Sequence, residues 1–279
     1  MKSVISASRR TDIPAFYLDW FMQAIRNGRI TVENPLYPGQ SRLVSLDPRD
    51  VGWIVFWSRN YARFLKNINF FEAYDLFFHF TILAHSQFEP IRIPLKVALA
   101  QVEKLVSLYG PERIVWRYDP VMIWEKDGNN STNFVPGEFA YLCRFMADHA
   151  IRNCYFSFVT PYRKVLTRLK KYDRSLKLLG QHSPETLDIL RKMTAIAGEM
   201  NIQLFSCSND RITGNGINRG SCISGELLNR LSGGRMVSTA KSPGRKDCGC
   251  TRATDIGSYT GHPCKYGCLY CYANPVKRD

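Results

Sequence analysis

No stretch of the 279 residues approaches the roughly 20 consecutive apolar side chains that a membrane-crossing helix needs. The opening MKSVISAS has no apolar core of the secretory kind either. Internal repeats and low-complexity tracts are also missing, so nothing reads as an array of small units or as a disordered stretch. Acidic residues are the other shortage: 24 Asp and Glu stand against 38 Lys and Arg, a formal charge of +14. That imbalance favours polyanionic or phosphorylated partners. Core material, by contrast, is plentiful. Hydrophobic residues make up 45% of the chain, enough for one large domain or two small ones. The expectation is a globular protein, read as cytoplasmic, with no membrane partner.

Nine cysteines are present, and cytosolic thiols are kept reduced, so a disulfide framework is not expected. Cys248, Cys250, Cys264, Cys268 and Cys271 fall within the last 32 residues, where large aliphatic side chains are scarce. Such clustering favours metal ligation over core packing. Cys143, on a helical stripe, and Cys154, at a strand start, read instead as core residues. A second concentration lies between Arg163 and Lys177, where seven cations meet one anion. It reads either as a solvated helix face or as a contact for phosphate or nucleic acid.

Short β-rich apolar runs alternate with segments of helical period. The strand candidates are Val4 to Ser8, Trp53 to Ser58, Phe77 to Leu83, Ile114 to Tyr118, Tyr155 to Val159 and Gln203 to Cys207. They are nearly continuous in hydrophobicity, as parallel strands covered on both faces are. Helices are expected after Thr11-Asp12-Ile13-Pro14, up to Gly110-Pro111, around Phe139 to Met146, and from Ser183-Pro184. Six such units predict an α/β fold with a parallel (β/α) barrel of about six to eight strands, partial or TIM-like, over residues 1–207, with an open doubly wound sheet as the alternative. Residues 208–279 show one convincing helix, around Glu226 to Leu231, and carry 11 basic against 5 acidic residues. This Cys-rich tail needs a metal, or docking on the barrel, to become ordered.

Within the tail, HPCKYGCLYCYAN contains C-x3-C-x2-C: Cys264, Cys268 and Cys271. Three thiolates at this spacing suit one 4Fe-4S cubane whose fourth iron has no protein ligand. A zinc knuckle completed by His262 is the alternative. With Tyr270 before the last cysteine, the motif resembles the signature of radical S-adenosylmethionine (SAM) enzymes. The resemblance implies that the open iron chelates SAM and that Tyr270 sits near the adenine. It also implies an electron passed to the sulfonium, hydrogen abstraction by a 5'-deoxyadenosyl radical, and a reductant such as flavodoxin or ferredoxin. Those enzymes carry the motif near the first strand, so its place here implies a permuted arrangement. The whole chain further resembles a widespread, largely uncharacterised family of prokaryotic proteins. The resemblance is carried by Ser6 to Tyr17 (SASRRTDIPAFY), by Trp116 to Pro120 (WRYDP), by C-G-C, by D-I-G-x-Y and by the three-cysteine motif.

Cys207, Cys222, Cys248 and Cys250 are candidate ligands for a second iron-sulfur cluster or a structural zinc that would order the tail. In a parallel barrel, reactive groups gather where strands run out into loops. Arg9, Arg10 and Asp12 follow the first strand, Arg59 the second and His85 the third, while Arg117, Tyr118 and Asp119 end the fourth. Arginines there would bind the SAM carboxylate or an anionic substrate through bidentate hydrogen bonds. They would otherwise pair internally, with Asp12 serving as a helix N-cap. Trp53, Trp57, Trp116 and Trp124 read as core, with Trp57 and Tyr118 placed to stack on adenine or a base. Two functions remain open. One is a radical SAM-type enzyme acting on a nucleic acid, nucleotide or phosphorylated metabolite. The other is a metal-stabilised nucleic-acid-binding or electron-transfer protein that does not cleave SAM.

Overall fold

The computed structural model describes every residue except 35, 36, 38, 84, 85, 182, 244–246, 274 and 277–279. In chain order it begins with β1 (Ser3–Ala7), α1 (Ile13–Phe16), α2 (Leu18–Arg26), β2 (Arg29–Glu33), β3 (Ser41–Ser45) and β4 (Val51–Ser58). There follow α3 (Ala62–Leu65), β5 (Asp75–Thr81), α4 (Leu95–Tyr109), β6 (Ile114–Val121), β7 (Ile123–Lys126), β8 (Asn129–Thr132) and α5 (Pro136–Asp148). The remainder is β9 (Asn153–Phe158), α6 (Arg163–Tyr172), β10 (Lys177–Leu178), α7 (Pro184–Glu199), β11 (Gln203–Ser206), β12 (Ile217–Arg219), α8 (Gly225–Leu231) and β13 (Thr254–Asp255). The chain divides into two compact units. The first comprises Met1–Phe80, Ile93–Ile114 and Ser221–Lys265, and the second Thr81–Arg92, Val115–Gly220 and Tyr266–Asp279.

In the first unit β4 lies between β1 and β5, and β13 adds to the far side of β1, all in parallel. The burial of β4 follows from its place: every residue of VGWIVFWS but Trp57 is buried, as in a parallel strand covered on both faces. Phe56 packs against Phe64 (ring centroids 5.1 Å apart), Phe71 (5.5 Å) and Phe78 (6.0 Å). Burying one such side chain stabilises by about 1.5–3 kcal/mol. Each well-oriented aromatic pair adds about 0.5–1.5 kcal/mol. α1 begins at Asp12, whose side chain accepts from the Ala15 amide, with Pro14 in the first turn. α4 stops where Gly110 takes φ +82°, a conformation that disfavours any residue with a Cβ.

In the second unit β9 lies between β6 and β11, with β12 beyond β11, again all parallel. Trp116 stacks on Phe139 of α5 at 5.5 Å, and Tyr118 meets the same ring edge-on at 4.9 Å. Cys143 and Cys154 are fully buried in this core, and burial pushes the Cys143 thiol up to about 12. α6 buries Val165 and Leu169 while Arg163, Lys164, Lys170 and Lys171 face solvent.

The six expected strands are present, their ends displaced by at most three residues. The closed, TIM-like barrel does not form. Among the described residues β12 and β13 each pair with one parallel neighbour, β11 and β1, and are edges. Alternating strands and helices dictate parallel pairing, but closure depends on strand tilt and shear, which hydrophobic runs do not encode. Two antiparallel ribbons were also not expected: β2 with β3, and β7 with β8 and β10. In these ribbons β3, β8 and β10 are polar or very short and carry little pattern, although β2 alternates buried Ile30 and Val32 with exposed residues. The signal for one of them was Asp127-Gly128, whose positive φ values of 51° and 79° suit a tight two-residue hairpin turn. Among the described residues no helix is long and apolar enough to cross a membrane.

Candidate functional site

Parallel pairing of β13 with β1 places Asp255 beside Ser6 in the first unit. The carboxylate accepts from Ser6 Oγ (3.0 Å), Ser8 Oγ and the backbone amides of Arg9 (2.8 Å) and Gly257 (3.1 Å). Two of the four candidate arginines gather there. Arg9 Nε is 3.6 Å and Arg10 Nε 4.0 Å from the carboxylate, and Arg10 also donates to the Gly257 carbonyl at 2.9 Å. A Cβ on Gly257 would run into the Ser8 hydroxyl, so the close approach requires glycine at that position.

From this node a line of contacts leads inward. Ser6 Oγ accepts from Trp57 Nε1 at 3.0 Å, and the Arg9 guanidinium lies 5.9 Å from the Trp57 ring centre. Trp57 stacks on buried His79, 3.9 Å away and 9° from parallel. His79 Nε2 in turn donates to the Cys222 carbonyl at 2.7 Å. The thiols of Cys222 and Cys248 both hydrogen-bond with that of Cys250, so these three candidate ligands are neighbours. The bond with Cys222 pulls the Cys250 thiol down, but the interaction with Cys248 and burial together outweigh it and leave the thiol above its ordinary value. Cys207, the fourth candidate, follows β11 in the second unit, its amide bonded to the Phe156 carbonyl at 2.9 Å.

Asp12 and Arg59 form a separate node. The Ser58 hydroxyl lies 2.8 and 2.9 Å from the two Asp12 carboxylate oxygens, and the amides of Arg59 (2.8 Å) and Ala15 (2.9 Å) also donate to that carboxylate. Burial pushes the carboxyl up to about 6, against the pull of these donors. In the second unit Arg117 pairs with Asp119 through Nε (3.1 Å) and Nη2, and Asp119 also accepts from Ser157. Tyr118 is fully buried, its ring enclosed by Trp116, Phe134 and Phe139. Of the loop candidates, His85 lies outside the described residues.

The three-cysteine loop begins in the first unit and ends in the second. Before Cys264, Tyr17 donates to the Pro263 carbonyl at 2.8 Å, and His262 packs between Tyr17 (5.1 Å) and Trp20 (4.0 Å). His262 Nδ1 is buried with no hydrogen-bond partner among the described residues, and burial lowers the ring's basicity. In the second unit the Leu269 amide donates to Phe88 O (3.0 Å) and the Cys271 amide to Cys268 O (3.2 Å). Tyr270 donates its hydroxyl to buried Glu89. Arg168 of α6 donates from Nε to Leu269 O (3.0 Å) and from Nη2 to Cys271 O. Its guanidinium is close enough for charges on Cys271 and Cys268 to favour its protonated form, although burial outweighs them and lowers its pKa.

Asp255, Glu89 and Arg168 are site residues that local sequence pattern does not single out. Asp255 had a signal in the D-I-G-x-Y motif, whereas Arg168 was merged into a charge run and Glu89 had none. Among the described residues no three or more His, Cys, Asp or Glu side chains converge as a preformed metal site. The donor chemistry nevertheless fits an iron-sulfur group, with thiols at cubane spacing and an arginine beside two of them. Residues 4–273 match the model of a family described as Domain of unknown function (DUF1848). No curated protein matches the chain.

Proposed function

The chain belongs to the DUF1848 family, and on that premise we propose that it is a 4Fe-4S protein and a radical SAM-type enzyme acting on an anionic substrate. The observation that carries this reading is C-x3-C-x2-C with Tyr270 before its last cysteine. Cys264, Cys268 and Cys271 are the ligands. When bound, the cluster supplies one electron for reductive cleavage of SAM, with flavodoxin or ferredoxin as its source.

This chain's own residues hold and orient. Arg168 fastens the Leu269 and Cys271 carbonyls and offers its charge to the Cys268 and Cys271 thiolates. Glu89 fixes Tyr270, whose ring would line the adenine. Arg9 and Arg10, steadied by Asp255, bind the SAM carboxylate or the substrate anion. The trio Cys222, Cys248 and Cys250 is a second thiolate site, for a second cluster or zinc. A second reading, a nucleic-acid-binding or electron-transfer protein without SAM cleavage, draws support from the exposed cations of α6, the helix that supplies Arg168.

Anaerobic reconstitution tests the choice. Iron and sulfide should be found at cluster stoichiometry, SAM should alter the electron paramagnetic resonance of the reduced protein, and 5'-deoxyadenosine should form. Cys268→Ala should lose this cluster while keeping the fold. A cluster indifferent to SAM leaves the second reading, and equal iron in wild type and Cys268→Ala removes the ligand assignment.

A further inference from the structure

We propose that a cleft running along β1 in the first unit binds a bisphosphorylated sugar or polyol. The cleft has a volume of about 690 Å³, within the range of small-molecule sites. It is walled by β1, by the segment leading into β13 and by the β2–β3 ribbon. Positive charge collects at its two ends. Lys2 and Arg42 stand near the start of β1, and Arg252 precedes β13 at the same level, since Thr254 pairs with Ile5. Arg9 and Arg10 stand past the other end, and the five residues of β1 between them span about 16 Å.

Two carboxylates lie in the walls. Asp255 is paired with Arg9 and Arg10 and bonded to the two serine hydroxyls and two amides described above, so one of the two arginine charges at that end stays unbalanced, and Glu33 accepts from Ser258 at 3.4 Å. Cations at both ends therefore favour a ligand with an anionic group at each end. The middle is hydroxyl- and amide-rich, with Ser3, Asn34, Gln40 and Ser238 in the wall, which suits the hydroxyls of a sugar. Among the described lining residues none is aromatic, so a nucleobase would find no ring to stack on. That contrast selects a phosphorylated sugar over a nucleotide. Arg42 is already oriented by its bond to Thr254 Oγ1 at 2.7 Å, which places its fork at the cleft wall.

This site deepens the anionic-substrate half of the proposed function and rests on it for calling the ligand a substrate, not for binding. The test is isothermal titration of the full chain, as purified and after reconstitution, with fructose 1,6-bisphosphate, inorganic phosphate, ADP and a short single-stranded DNA as probes. The bisphosphate should bind at least about tenfold tighter than the other three. Arg42→Ala and Arg252→Ala, both on the exposed rim and outside the proposed catalytic groups, should each weaken it by about tenfold with unchanged thermal midpoints. Cys268→Ala should bind the bisphosphate as wild type does. Tighter binding of ADP or DNA, or bisphosphate binding indifferent to both arginine variants, overturns the proposal. Bisphosphate binding without 5'-deoxyadenosine formation leaves the cleft standing and removes the enzyme reading, whereas the converse result removes only the cleft.

Discussion

In the first unit Arg9 and Arg10 face one buried carboxylate, while at the three-cysteine loop in the second Arg168 faces peptide carbonyls. Arg9 and Arg10 meet Asp255, which is also bonded to two serines and two amides. Arg168 meets the carbonyls of Leu269 and Cys271, dipoles without net charge. The difference lies in what becomes of the positive charge. Against the carboxylate one of the two charges is balanced, and the pair locks β1 to β13 while keeping one positive charge over. Against carbonyls the charge persists, and the groups whose negative charge would act on it are the thiols of Cys268 and Cys271. The same side chain is a fastening in one unit and a standing field in the other.

Removing the fastening should have the largest effect. Asp255→Ala leaves Ser6, Ser8 and the Arg9 and Gly257 amides without their acceptor and leaves two arginines beside each other. Loss of a buried, multiply bonded carboxylate of this kind costs about 3 kcal/mol. Urea unfolding should show that loss as a lowered midpoint with an unchanged slope. A loss below about 1 kcal/mol would mean that β13 is held by its strand pairing alone and that the first half of the comparison is wrong.

Asp12 sharpens the comparison, because it is a buried carboxylate of the first unit bonded to amides and a hydroxyl, on which the Arg59 charge acts less than burial does. Its carboxyl moves from 3.8 to about 6. Between about pH 4 and 6 the folded state then binds more protons than the unfolded chain. Unfolding free energy should fall as pH rises through that window and stay lowered above it. The displacement corresponds to about 3 kcal/mol as an upper figure. Asp12→Asn keeps an acceptor oxygen and cannot ionise, so its stability profile should be flatter over the same window. Superimposable profiles would show that Asp12 is already ionised at pH 4 in the folded protein.

The sequence made the first unit's frame legible and the second unit's clamp nearly invisible. WIVFWS reads as a buried strand because every position is apolar or small, and β4 is such a strand. Asp12 reads as an N-cap from its local signal and does accept from Ala15, but its bonds to Ser58 and the Arg59 amide span more than forty residues. Asp255 and Ser8 are 247 residues apart, and only the pairing of β13 with β1 joins them. Local patterning encodes periodicity and turns; it carries no register between distant strands. Arg168 sat in a run of seven cations whose members look alike in sequence. Its difference from Lys170 and Lys171 is one of direction, since Val165 and Leu169 turn one face of α6 inward and carry Arg168 part of the way with them.

The smallest expected effect belongs to that residue and is local. Arg168→Met keeps most of the aliphatic stem and removes both donors to the loop. The Leu269 and Cys271 amides, which donate to Phe88 O and Cys268 O, report on whether the loop stays closed. Two hydrogen bonds from a charged donor, discounted for partial exposure, contribute about 1–2 kcal/mol to that closure, so both amides should exchange about tenfold faster with little change in the urea midpoint. Arg168→Lys separates the fastening from the field: it restores a charge but not the fork, so exchange should stay fast while affinity for iron after reconstitution recovers in part. If the methionine variant exchanges as slowly as wild type, the loop is held by Glu89 and the Phe88 pairing, and the arginine is only a field. If the lysine variant recovers slow exchange but not iron, the fastening matters and the charge does not.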